Sequence, residues 1–192
     1  MDYPRSALLL WLILAHSFFS HAQELSQYDR FKLEEGELYW QNTYEYPGDA
    51  DSTSHAVEQM LKSRAFTYQV IRGKDAYSGK INHYLVNPKR YGRTYSNTPK
   101  MYWDGEWSGK FMVEVRGGSY TVTVYALQYK SETQSVGHHK AEKIRTGQYI
   151  DAVTVNYRKS FLKSAFLNLS LMSLSLKDNF DIKNATDLQD DK

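Results

Sequence analysis

The residues best suited to chemistry lie in one short stretch, Trp103-Asp104-Gly105-Glu106-Trp107. Two carboxylates between two indoles are parts a glycosidase uses: an acid, a base, and flat aromatic faces on which a sugar ring stacks. Hydrolysis needs those carboxyl groups about 5–10 Å apart at a concave, exposed site. Neighbours at i and i+2 on a tight turn rarely achieve that separation. Asp104-Gly105 also has turn chemistry of its own. We therefore read the stretch as a turn leading into a strand. A carbohydrate-acting hydrolase using Asp104 and Glu106 is the alternative.

Other candidates are weaker. Gly73 to Lys80, GKDAYSGK, has one residue too many between its glycines for a P-loop. Ile81 stands where a magnesium-binding Ser or Thr belongs, and no helix pattern follows. His138-His139 lacks further ligands at metal-binding spacing. His55 falls on the polar side of a helix and His83 in a strand, so both read as solvated or structural. Cysteine is absent. There is no nucleophile elbow, His-Glu-x-x-His motif or dinucleotide glycine pattern. The residues imply no catalytic group, metal or cofactor.

The aromatic cluster belongs to an irregular segment, Val86 to Lys110, which holds Pro88, Gly92, Pro99, Gly105 and Gly109. A connection of that length is expected to be functional or packed on a sheet. Its Tyr91, Tyr95, Trp103 and Trp107 are the candidate ligand-binding residues. If they bind a glycan, Trp103 and Trp107 should be exposed and roughly coplanar.

The segment leads into the clearest hairpin, Lys110 to Tyr129. Gly117-Gly118 separates two alternating runs, and a Gly-Gly pair can take the positive φ angles of a two-residue turn. That turn pairs Arg116 with Ser119, Val115 with Tyr120, Val113 with Val122, and Phe111 with Val124. The bulky apolar partners then share one face, which must be buried. Glu114 with Thr121 and Met112 with Thr123 take the other. A one-residue slip would destroy the match.

Before it come an opening hairpin (Phe31 and Leu33, a Glu35-Gly36 turn, then Leu38, Trp40, Tyr44 and Tyr46) and a helix over residues 53–64. Asp51, Ser52 or Ser54 can cap that helix, and Val57, Met60, Leu61 and Ala65 form its apolar stripe. Strands are expected at 66–72 and 80–87, with Gly73 and Gly79 bracketing the connection.

After the central hairpin, 130–147 reads as an exposed loop, 149–157 as a strand, and 161–180 as a second helix. In that helix Phe161, Leu162, Ala165, Leu169, Met172, Leu176 and Phe180 make the stripe that packs on the sheet. Leu167, Leu171 and Leu174 make a second stripe on roughly the opposite side. These leucines are expected to dock on a partner: a second subunit, the aromatic loop or a membrane surface. A strand with period two is the alternative for Leu167–Leu171.

Length and composition set the frame. The chain has 192 residues, a formal net charge of +2 and 16 tyrosines. The balanced charge argues against nucleic-acid binding, and the tyrosines favour a sheet. Ala7–Ala15 is a short apolar run, and Ser20-His21-Ala22 offers small residues for cleavage between Ala22 and Gln23, so residues 1–22 read as a signal peptide. The run is too short for a membrane span. A cysteine-free exported chain suits the periplasm or a bacterial surface. The expected division is a signal peptide at 1–22, an α+β domain at 29–130, a C-terminal extension with strand and helix at 131–183, and a disordered tail at 184–192.

The pattern from Phe31 to about Gln128 resembles an uncharacterised domain family of exported bacterial proteins with a TATA-binding-protein-like (TBP-like) fold. FKLEEGELYW, the Asp51–Lys62 helix, Ser78-Gly79-Lys80-Ile81, Gly109-Lys110-Phe111-Met112-Val113-Glu114 and Ser119-Tyr120-Thr121-Val122-Thr123-Val124 carry the resemblance. Thr121 departs from the basic residue the family often has after the tyrosine. The resemblance implies a curved antiparallel sheet with two helices on one face, and no catalytic residues. It implies no DNA binding, because fold and function separate readily. The expected role is a non-catalytic binding module of the envelope, with a protein or glycan as partner and self-association through the C-terminal helix.

Overall fold

The computed structural model describes residues 27–34, 37–64, 66–71, 75–103, 105–131, 148–149, 155–156, 160–161 and 166–186. The strands are β1 (Gln27–Tyr28), β2 (Phe31–Glu34), β3 (Glu37–Glu45), β4 (Thr67–Val70), β5 (Ala76–Tyr84), β6 (Gly105–Arg116), β7 (Ser119–Ser131), β8 (Gln148–Tyr149), β9 (Val155–Asn156) and β10 (Ser160–Phe161). The helices are α1 (Ala50–Ser63), α2 (Phe166–Phe180) and the short α3 (Lys183–Thr186). An antiparallel sheet runs β1-β2-β3-β7-β6-β5-β4, with β8 paired to the far end of β7. The architecture is α+β.

The β6–β7 hairpin has the register that its side-chain pattern requires: Val113 faces Val122, Phe111 faces Val124, and Glu114 faces Thr121. Only Gly118 of the turn takes a positive φ, 79°. Phe111, Val113, Val115, Tyr120, Val122 and Val124 are all buried. Burying each Val or Phe contributes about 1.5–3 kcal/mol, so this face dominates any exposed ion pair.

Helix α1 starts earlier than expected. Its cap is Asp49, whose Oδ1 accepts from the Ser52 N–H at 2.8 Å. These Ser52 hydrogen bonds hold the Asp49 carboxyl below its ordinary pKa. Val57, Met60 and Leu61 face the core; Ala65 lies outside the described residues. Strand β5 also starts earlier than expected, so Gly79 sits inside it and does not bracket the connection. A Cβ at Gly79 would run into the Thr67 carbonyl and the Phe111 ring, so packing explains the glycine.

Two irregularities bend the sheet. The β5–β6 register shifts between Ile81 and Tyr84, and the β6–β7 register shifts between Ser108 and Lys110. His83 and Ala126 take left-handed φ values of 53° and 52° at these points. Such bulges kink a strand and increase its twist. Both shifts flank Gly109 of β6.

The C-terminal helix begins at Phe166. Phe161 instead pairs with Val155 in a separate two-stranded ribbon. Leu169, Leu171, Met172, Leu176 and Phe180 join the core cluster formed by the sheet and α1. Residues 131–183 therefore supply the second helix of the domain. Asn184–Thr186, expected to be disordered, are helical in α3, and the Asn184 amide donates to the Asp178 carbonyl.

Candidate functional site

The aromatic loop does not assemble the expected platform. Trp107 is completely buried, packed between Tyr102 and Tyr129 at ring distances of 5.3 and 5.5 Å. The expectation of two exposed indoles is therefore corrected. Trp107 shares the inward parity of Phe111, Val113 and Val115 along β6, so the strand itself turns it inside. Trp103 stacks on the exposed Tyr95 with centroids 4.7 Å apart and planes 18° apart. Tyr91 faces elsewhere: its hydroxyl donates to Asp178 Oδ2 at 3.0 Å. Burial, reinforced by the Asp178 charge, pushes the Tyr91 hydroxyl up to about 12.

Glu106 lies 2.8 Å from His83 Nδ1. The carboxylate thus has a histidine partner, which the sequence did not reveal. Asp104 and His138-His139 lie outside the described residues. Among the described residues, no group of His, Asp and Glu side chains is arranged to hold a metal ion.

The docking stripe expected on α2 is also redistributed. Leu171 is 1 % exposed and belongs to the core, whereas Leu174 is 40 % exposed. Leu167 lies on α2, but its side chain is outside the description. The helix buries more than one stripe because the curved sheet reaches around it. Ser173 and Ser175 lie about 200° apart on the helix, yet both are buried. Trp40 Nε1 of β3 donates to Ser173 Oγ at 3.1 Å, and the Tyr84 hydroxyl of β5 bonds Ser175 Oγ at 2.6 Å.

A seam of polar contacts continues along α2. The Tyr28 hydroxyl meets Ser170 Oγ at 2.9 Å, and the Tyr44 hydroxyl donates to the Lys177 carbonyl at 2.9 Å. The Tyr120 hydroxyl donates to the Phe180 carbonyl and accepts from the Ile182 N–H. Burial raises the hydroxyl pKa values of Tyr44, Tyr84 and Tyr120 above the ordinary tyrosine value. These hydroxyls remain neutral, as the seam requires.

With both helices on one face, the other face of the sheet is uncovered among the described residues. Gln41 donates to Thr123 Oγ1 at 3.2 Å, and the Thr43 and Thr121 hydroxyls lie 2.9 Å apart. The strand register places Tyr39, Tyr125, Lys110, Lys80 and Thr67 in one row across β3, β7, β6, β5 and β4. A shallow cleft of about 310 Å³ opens over part of this row, lined by Thr67, Gln69, Ser78, Lys80, Lys110 and Tyr125. Single-sequence reading missed it. Its signal was the outward parity of Lys80 and Lys110 once the strands were in register.

No family model and no curated protein match the sequence. Among solved structures, a TBP-like protein from Parabacteroides distasonis is similar, with a TM-score of 0.54 at 13 % identity, over 82 % of this chain and 97 % of that one. A DUF4468 family protein from Bacteroides ovatus aligns at a TM-score of 0.44 and 10 % identity, over 83 % of this chain and 85 % of that one. At these identities the likeness concerns the fold alone. The fold is TBP-like, as the resemblance read from the sequence implied.

Proposed function

We propose that this chain is a non-catalytic binding module of the cell envelope that engages a protein or glycan through the uncovered face of its sheet. The asymmetry of the sheet is the observation that supports this reading. One face is sealed by α1 and α2, while the other presents hydroxyl, amide, ammonium and phenol groups without a covering element among the described residues. A broad polar face with an aromatic row suits recognition by contact. The apolar Ala7–Ala15 run supports export, with the mature chain beginning at Gln23.

The test combines location with surface mapping. N-terminal sequencing of protein from the envelope fraction should begin at Gln23; a chain beginning at Met1 overturns export. A photo-cross-linker replacing Thr123 on the open face should capture a partner in the envelope, while one replacing Leu174 on α2 should not. Capture from Leu174 alone would move the binding surface to the helix.

A further inference from the structure

Lys80 and Lys110 face each other directly across β5 and β6, and both are exposed. Like charges at opposed positions repel. Among the described residues, no carboxylate lies within 4.0 Å of either ammonium. The sheet thus sets two cations opposite each other, at the wall of the cleft that Thr67, Gln69, Ser78 and Tyr125 complete. Tyr125 stands beside Lys110 on β7, and Tyr39 follows on β3, their rings 6.2 Å apart. Adjacent strands are about 4.8 Å apart, so the row from Lys80 to Tyr39 spans roughly 14 Å.

We infer that this cleft binds an acidic glycan segment, with Lys80 and Lys110 pairing to a sugar carboxylate and the Tyr125 ring lying against a neighbouring sugar. The inference rests on the open face being the binding surface and names its ligand class. Two lysines at opposed strand positions can converge on one carboxylate, and a phenol one strand away fits the alternation of charge and flat ring along a polyuronate. The row suits a nucleic acid less well. Glu114 is exposed on the same face, and the whole chain carries a net charge of only +2.

Binding of the full chain to oligogalacturonate, measured by calorimetry, tests the proposal. Its methyl ester, a single-stranded oligonucleotide and an acidic peptide serve as comparison ligands. Oligogalacturonate should bind, with affinity falling as salt rises, and the methyl ester should bind at least about tenfold more weakly. Lys80→Gln/Lys110→Gln should lose at least about tenfold in affinity while melting no earlier than the unmodified chain, since the like-charge pair is gone. Tyr125→Leu should weaken binding of the acid while leaving its salt dependence unchanged. No binding of oligogalacturonate, equal binding of the ester, or undiminished binding by the lysine variant overturns the proposal. Equal or tighter binding of the oligonucleotide or the peptide also overturns it. Cross-linking from Thr123 alongside any of these failures would leave the open face as the binding surface for a different ligand.

Discussion

The Tyr84 hydroxyl and Ser175 Oγ lie 2.6 Å apart in the interior, joining residues 91 positions apart in the chain. Both residues are buried. Ser175→Ala should therefore cost about 1–3 kcal/mol, because it strands a buried hydroxyl. Adding Tyr84→Phe should recover much of that loss, since the unpaired hydroxyl is gone. Urea unfolding of both single variants and the double variant measures the coupling; simple additivity would contradict it.

The hairpin makes a prediction by parity. Val122→Asp places an unpartnered charge in the core and should unfold the domain. Thr121→Asp, one residue away on the open face, should cost about 1 kcal/mol or less, mainly from facing Glu114. Circular dichroism during thermal melting distinguishes the two variants.

Trp107 and Trp103 should separate just as clearly. Trp107→Ala empties a fully enclosed site and should cost about 3–5 kcal/mol. Trp103→Ala removes a half-buried ring stacked on an exposed tyrosine and should cost much less. Chemical denaturation of each variant checks the ranking.

On α2, Leu171→Ala should cost about 2–5 kcal/mol as a core truncation. Leu174→Ala should stay within about 1 kcal/mol, because a 40 % exposed side chain has less burial to lose. Matching losses in both variants would show that Leu174 is covered in solution.

The buried tyrosines set an alkaline limit. Burial raises the hydroxyl pKa values of Tyr44, Tyr84, Tyr102 and Tyr120, and Tyr91 is pushed up to about 12. Each folded value lies above the unfolded value of about 10, so the folded state keeps its protons longer. Their contribution to stability is fully present below pH about 10 and falls as pH rises beyond it. Tyrosinate absorbance should therefore rise in step with unfolding in that range. Ionisation of all tyrosines near pH 10 without unfolding would contradict this.

Much of the scaffold was legible because local patterns agreed with tertiary packing. Two glycines between alternating runs fixed the β6–β7 register, and Val57, Met60 and Leu61 announced the buried side of α1. The serines of α2 were not legible. A helix wheel separates apolar from polar residues, whereas here curvature buries Ser173 and Ser175 on opposite flanks and supplies them with Trp and Tyr hydrogen-bond partners. Leu171 was assigned outward for the same reason. Trp107 was within reach: extending the inward parity of Phe111 back along β6 places it in the core. The cleft emerged only when residues from separate strands came into one row.

The polar seam also sets an order of events. Tyr28 waits for Ser170, 142 residues later, and Trp40 waits for Ser173, 133 residues later. Pairings this distant in sequence slow folding, because long loops must close before the contacts can form. The core cannot be completed while the chain is still being synthesised short of α2. A polypeptide built this way leaves β1 and β3 without their polar partners until α2 has docked on the sheet.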